Sequence, residues 1–497
     1  MERKAGILLP VSSLPSEYGI GCFSAEAYEF AERLCQSGQS YWQILPLGPT
    51  GFGDSPYQSF STFAGNPYFI SLEELIGEGV LSKKECDAAD FGSCERYVDY
   101  EKLYKSRFKL LEKAFERTDL SADKEFKRFE EENDFWLEDY SLFMAVKSHF
   151  GGAELGKWEK DIRDKKSFAE ESYRYVLKKD IDFQKYMQYK FYSQWKNLKA
   201  YANKNGIKII GDLPIYVSAD SADFWNEPKL FQVDENNVLK AVAGCPPDGF
   251  SPKGQLWGNP LYDWEYHKKT EFKWWIKRFE HCFRLYDAVR IDHFRGFDEY
   301  YAVPYGAEDA RRGEWKKGPG AELFAETEKQ IGKKEFIAED LGFVTESVKK
   351  LLNVCGFPGM KVLEFAFDPR DTGNLSDYLP HNYEENCIAY TGTHDNQTLC
   401  GWFSQLSAKE KERVRDYLCN EQTPPQRINM PLIGLIMRSA ARLCIVPLQD
   451  YMGLDDRARI NIPSTLGINW KWRLKKGEPG RELWNKIYKV TAASSRI

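Results

Sequence analysis

The stretch Ala288-Val289-Arg290-Ile291-Asp292 is a short apolar run that closes on an acid, with a cation two places before it. Residues two apart on a β-strand point to the same side, so Arg290 and Asp292 share one face and Val289 and Ile291 the other. Runs of similar form occupy residues 6–9, 41–46 and 207–212 before it, and 336–340, 360–364, 387–391 and 443–447 after it. All eight have strand length and aliphatic or β-branched content, and most end on a polar or acidic residue.

Helical patterns fall between most of these runs, over residues 24–37, 186–205, 271–285, 321–330, 345–353 and 428–442. Ser24 stands where an N-cap belongs, and Gly38 and Gly206 stand where helices stop. Eight strands alternating with helices predict an α/β fold, a (β/α)8 TIM barrel over residues 1–497. A doubly wound open sheet is the alternative that the same pattern allows. The spacing adds two insertions. Residues 66–180, charged and helix-prone, read as a mostly helical insertion between strands two and three. Residues 218–270, rich in Pro, Gly, Asp and Trp, read as a loop-rich insertion between strands three and four, carrying an active-site loop at 244–260.

Bulk composition narrows the function. The 497 residues are 42% hydrophobic, enough for a large core, and 69 basic against 75 acidic residues give a net charge of −6. Nucleic-acid binders normally show a basic excess, so no such partner is expected. No apolar run approaches the roughly 18 residues that span a bilayer. The apolar run at 5–10 is too short for a secretion signal, so a cytoplasmic location is expected. Eleven scattered cysteines with no Cys-x-x-Cys pair suit a reducing compartment and predict neither a metal site nor a cofactor. The 15% aromatic content serves cores first, and it also supplies flat platforms for the C–H faces of sugars.

In a TIM barrel, catalytic groups gather at the C-terminal ends of the strands. The acids there are Asp212, Asp292, Glu339, Asp340, Asp395 and Asp450, joined by Arg290, His293, Arg295 and His394. Carboxylates without metal-ligand spacing suit acid–base or covalent carboxylate chemistry, glycosidic bond cleavage included. Arg290 would keep Asp292 ionised, whereas neighbouring negative charge and partial burial would raise the pKa of Glu339.

Four motifs then carry a resemblance. The segment from Ala288 to Gly296 resembles the nucleophile segment of the α-amylase superfamily in its amylomaltase form. Ile337-Ala338-Glu339-Asp340-Leu341-Gly342 resembles the acid/base segment. Tyr390-Thr391-Gly392-Thr393-His394-Asp395-Asn396 resembles the third-carboxylate segment, and Gly211-Asp212-Leu213-Pro214-Ile215-Tyr216-Val217 the strand-three motif. Gly53-Asp54-Ser55-Pro56-Tyr57 and the loop from Gly244 through Asp248, Gly249 and Phe250 to Pro260 are similar to amylomaltases rather than amylases.

The resemblance covers nearly the whole chain and implies a 4-α-glucanotransferase working through a covalent glycosyl-aspartate, with no C-terminal β-sandwich domain. It implies Asp292 as nucleophile, Glu339 as acid and base, and Asp395 with His394 as the grip on sugar hydroxyls. Arg290 would orient Asp292, Tyr57 would stack under the sugar, and Asp212 would bond its primary alcohol. Ser55, Gln255, Trp257, Asn259 and Asn461 would flank further glucose units. The implied partners are maltooligosaccharides and longer α-1,4-glucans, and the sequence leaves the oligomeric state open. An α-amylase-like hydrolase, a catalytically silent glucan-binding protein and a metal-dependent barrel enzyme are the other readings.

Overall fold

A computed structural model describes residues 2–51, 53–247, 251–342, 344–367 and 375–497, with backbone alone at 375 and 376. In chain order the described strands are β1 (Lys4–Leu8), β2 (Tyr41–Gln43), β3 (Lys208–Leu213), β4 (Ala241–Cys245), β5 (Gln255–Pro260), β6 (Ala288–Ile291), β7 (Glu299–Pro304), β8 (Glu314–Lys317), β9 (Phe336–Ala338), β10 (Gly359–Val362), β11 (Cys387–Tyr390) and β12 (Leu443–Pro447). Eight of them form one parallel sheet in the order β10-β11-β12-β1-β2-β3-β6-β9. That is chain order read around a circle. Its two ends meet, since Ala338 N–H donates to Pro358 O at 3.0 Å and Met360 N–H to Asp340 Oδ1 at 2.6 Å. An open doubly wound sheet would reverse strand order at its centre, so the fold is the barrel.

Strand alternation sorts the side chains. Leu8, Ile210, Ala288, Ile337, Met360, Val362, Ile388, Tyr390, Leu443 and Ile445 fill the lumen as one buried cluster. Ile7, Trp42, Ile209, Val289 and Ile291 face outward into the larger core beneath the helices. Each fully buried aliphatic side chain contributes about 1.5–3 kcal/mol. The same period of two continues past the lumen residues: Ile210 leads to Asp212, Ala288 to Arg290 and Asp292, and Ile337 to Glu339. Sequence thus aims four charged groups at the mouth of the barrel.

Helices surround the sheet. Ala25–Gln36 joins β1 to β2, and Lys273–Leu285, Ala321–Ile331, Glu346–Cys355 and Asn429–Met437 follow in later connections. Between β2 and β3 the chain builds several helices, including Lys124–His149, capped by Asp123, and Lys178–Lys204, which ends just before Gly206. Phe63, Trp136, Tyr140, Phe143, Trp158 and Trp225 form a separate core there. Among the described residues no helix is long and apolar enough to cross a membrane. All eleven cysteines carry free thiols.

The stretch read as loop between the third and fourth barrel strands contains ordered structure instead. Strands β4 and β5 pair antiparallel, and β4 also pairs with β7, giving a four-stranded sheet in the order β5-β4-β7-β8. Its Gly- and Pro-containing strands lack the alternation that marks a strand in sequence. Residues Asp248, Gly249 and Phe250 of the expected active-site loop lie outside the described residues.

Candidate active site

Asp212, Arg290 and Glu339 come from adjacent strands, and register sets their meeting. Asp212 is the cross-strand partner of Arg290, and Arg290 is the partner of Ile337, two residues before Glu339. The buried Arg290 guanidinium is therefore surrounded by carboxylates. Its Nη1 stands 2.5 Å from Asp212 Oδ2 and 3.4 Å from Asp292 Oδ1, and its Nη2 stands 3.0 Å from Glu339 Oε2. The Asp292 and Glu339 side chains keep 29% and 21% exposure, whereas Asp212 keeps none. The cluster opens to solvent at the pair and is closed behind it.

Asp292 and Glu339 are near enough that each shifts the proton affinity of the other, and one proton can serve both. Burial, and then the negative charge of Glu339, hold Asp292 well above the usual carboxylate range. Burial pushes Glu339 up as well, but Arg290 and the His293 N–H, which donates to Glu339 Oε2 at 2.7 Å, bring it below its ordinary value. The expected order of the two is thus reversed in the unliganded site: the proton rests on Asp292 and the anion on Glu339. The physical reason is donor count, because Glu339 receives a charged and a backbone donor at close range and Asp292 only the more distant Nη1.

His293 adopts a left-handed backbone with φ of 51°. A non-glycine residue held there costs on the order of 1–3 kcal/mol, and here the turn points its N–H at Glu339. Burial keeps its imidazole neutral by pulling its pKa down to about 4. The Trp257 ring meets that imidazole edge-on at 4.9 Å, and Trp257 Nε1–H donates to Gln255 Oε1 at 3.0 Å. Gln255 and Trp257, both from β5, thereby reach the turn that carries His293.

Tyr57 links the pair to the third acid. Its hydroxyl donates to Asp212 Oδ2 at 2.7 Å, and its ring stacks on His394 with centroids 5.1 Å apart and planes 13° apart. Burial and the Asp212 charge raise the Tyr57 phenol well above its ordinary value, so it stays a donor. Beyond His394, Asp395 Oδ1 accepts from Asn461 Nδ2 at 2.6 Å and stands 3.3 Å from His394 Nε2. The Asp395 side chain is 44% exposed, open to an incoming molecule.

The remaining expected site residues sit further back. Ser55 Oγ accepts the Tyr57 N–H at 3.3 Å and supports the turn. Asn259 is buried, donates to Val217 O at 2.9 Å and accepts from Gln58 Nε2 at 3.4 Å. Asp212 has Oδ2 occupied by Arg290 and Tyr57, while its Oδ1 is buried without a hydrogen-bond partner. Tyr57 covers it. Of the other strand-end acids, Asp340 helps close the barrel and Asp450 is buried against Thr391 and the Leu399 N–H.

Two contributors escaped the sequence reading. Arg459 Nη2 donates to Asp395 O at 2.8 Å, and the Trp470 ring lies 5.8 Å from Tyr57 and 6.0 Å from His394. The clue available for Arg459 was its place two residues before Asn461.

With this geometry in view, the chain compares closely with known proteins. The sequence pattern of the family described as 4-alpha-glucanotransferase matches residues 9–478. The chain belongs to that family. A 4-alpha-glucanotransferase of Clostridium butyricum is 48% identical over 489 residues, covering 98% of this chain and 99% of the relative. One from Streptococcus pneumoniae is 46% identical, covering 100% and 98%. Among solved structures, an amylomaltase from Streptococcus agalactiae in complex with acarbose superposes with a TM-score of 0.96 at 41% identity, over the whole of both chains. The 4-alpha-glucanotransferase family is thus matched in sequence and in fold from end to end.

Proposed function

We propose that the chain disproportionates α-1,4-glucans by a retaining double displacement, with Asp292 as nucleophile and Glu339 as acid and base. The observation that carries this reading is that one buried guanidinium gathers both carboxyls, Asp292 at 3.4 Å from Nη1 and Glu339 at 3.0 Å from Nη2. An inverting enzyme holds its carboxyls about 6.5–9.5 Å apart to admit a water between them, while retaining enzymes bring them to about 5–5.5 Å. Two carboxyls gathered on one guanidinium suit the closer spacing.

Glucan entering at the exposed edge would part the pair. The shared proton then passes from Asp292 to Glu339, and Arg290, within reach of both, follows the negative charge. Glu339 donates the proton to the glycosidic oxygen as Asp292 bonds to C1. The departing chain leaves with a free 4-hydroxyl, and the donor remains as an ester on Asp292. Glu339, now a carboxylate, takes the proton of an acceptor 4-hydroxyl, which attacks C1 and frees Asp292. Two inversions restore the α configuration.

Asp395 and His394 would hold the sugar's hydroxyls, and Tyr57 would offer its face below the ring. Asp212, Ser55 and Asn259 are assigned to holding Tyr57 and Gln58, and Gln255, Trp257 and Asn461 to the flanks of the glucan path. Binding of acarbose by the Streptococcus agalactiae amylomaltase supports a maltooligosaccharide ligand. Residues 66–180 are read as a helical insertion, and residues 218–270 as a second insertion that supplies β4 and β5 to the side sheet. Free thiols and the absence of a membrane-spanning helix among the described residues support a cytoplasmic location.

Incubation with maltotriose alone tests the reaction. Glucose together with a ladder of longer maltooligosaccharides is expected. Conversion to maltose and glucose without longer products would make the enzyme a hydrolase, and binding without turnover would make it a glucan-binding protein.

A further inference from the structure

A second group of acids lies beneath the turn that carries Asp395. Glu364, just past β10, is 5% exposed, and its Oε1 is closed to solvent with no hydrogen-bond partner. Asp450, Asp456 and Arg459 are the charged groups that face it, together with the Asn396 side chain. The two aspartates are committed elsewhere. Asp450 accepts from Thr391 Oγ1 at 2.6 Å and from the Leu399 N–H at 2.8 Å. Asp456 accepts from the Thr398 N–H at 3.1 Å, from Gln397 Nε2 at 2.6 Å and from Gln405 Nε2 at 2.8 Å. Among the described residues no such group of His, Cys, Asp or Glu is arranged to hold a metal ion.

Glu364 is therefore the acid with bonding capacity to spare, and it points at the turn. A Cβ on Gly392 would lie 3.1 Å from Glu364 Oε1 and 3.0 Å from Asn396 Cβ, so this side of the turn is packed tight. Asn396 organises the turn itself. Its Oδ1 accepts from both Thr393 N–H and Thr393 Oγ1, each at 2.9 Å, and Thr393 Oγ1 accepts from the Asp395 N–H at 3.2 Å. With Oδ1 fixed on Thr393, the amide NH2 is the end left to face Glu364.

We propose that Glu364 is a positioning residue for the transfer reaction, holding Asn396 and through it the turn that presents His394 and Asp395. Burial, reinforced by Asp450 and opposed by Arg459, holds the Glu364 carboxyl well above the usual carboxylate range. The proposal rests on the role given to Asp395 above.

A double-mutant cycle in kcat on maltotriose tests it. Glu364→Ala frees the turn, and displacement of about 1 Å at a reacting centre costs roughly 100-fold in rate. Glu364→Gln keeps the shape of the side chain and an acceptor for Asn396, so its kcat should stay within about fivefold of the parent. In an Asp395→Asn background, Glu364→Ala should cost clearly less than in the parent, because one of the two groups that the turn presents has already lost its charge. Should Glu364→Ala fail to fold, Asn396→Ala completes the same cycle with the same expectation. A full loss in both backgrounds, a Gln variant as impaired as the Ala variant, or a parental kcat in Glu364→Ala would each overturn the proposal. A parental kcat in Asp395→Asn alone would instead refute the role of Asp395.

Discussion

Arg290 Nη2 stands 3.0 Å from Glu339 Oε2 while Nη1 of the same guanidinium stands 2.5 Å from Asp212 Oδ2. One buried cation thereby serves two carboxylates on neighbouring strands and still lies within 3.4 Å of a third, Asp292. A planar fork can do this, and a point charge cannot. Arg290→Lys should fold but lose at least about 100-fold in kcat/KM. Arg290→Met leaves Asp212 buried without its cation and should lose about 3–5 kcal/mol of stability, read by denaturant unfolding.

The Tyr57 hydroxyl and ring have separable tasks. Tyr57→Phe keeps the stack on His394 and loses the bond to the Asp212 carboxylate. A hydrogen bond to a charged group is worth about 1.5–3 kcal/mol, so kcat/KM should fall about 10- to 100-fold. Tyr57→Ala loses both and should fall further. Equal losses in the two variants would mean that the ring contributes nothing.

Burial raises the Asp450 carboxyl to about 7. An unfolded aspartate titrates near 3.9, so between those values the folded state holds a proton that the unfolded state has released. Stability from this group is fully present below about pH 4 and is lost as pH rises through about 7. Asp450→Asn can still accept the Leu399 N–H and cannot ionise. Its Tm should therefore fall less than the parent's between pH 5 and 8, by about 2–4 °C, in calorimetric scans.

The barrel was legible because its code is local. Short aliphatic runs, most of them closing on a polar group, located all eight barrel strands and brought Arg290, Asp292 and Glu339 to one mouth. What escaped depends on distant chain. The Tyr57 hydroxyl bonds Asp212 from 155 residues earlier in sequence. The order of proton affinity between Asp292 and Glu339 turns on the left-handed backbone at His293 and on which Arg290 nitrogen faces which carboxyl. Neither leaves a trace in residue spacing. Strands β4 and β5 were hidden by their own glycine and proline, and by partners that lie beyond them in the chain.

The covalent ester on Asp292 is the centre of the proposed chemistry, and intact-mass spectrometry reads it directly. In Glu339→Gln, an α-maltosyl fluoride donor needs no acid to leave, while the missing base slows transfer to an acceptor, so the intermediate should accumulate. A rapid denaturing quench should give a mass gain of one maltosyl unit, mapped by peptide sequencing to Asp292 and absent from the Asp292→Asn variant. Turnover of the fluoride with inverted product and no adduct, or an adduct on any other side chain, would contradict the mechanism.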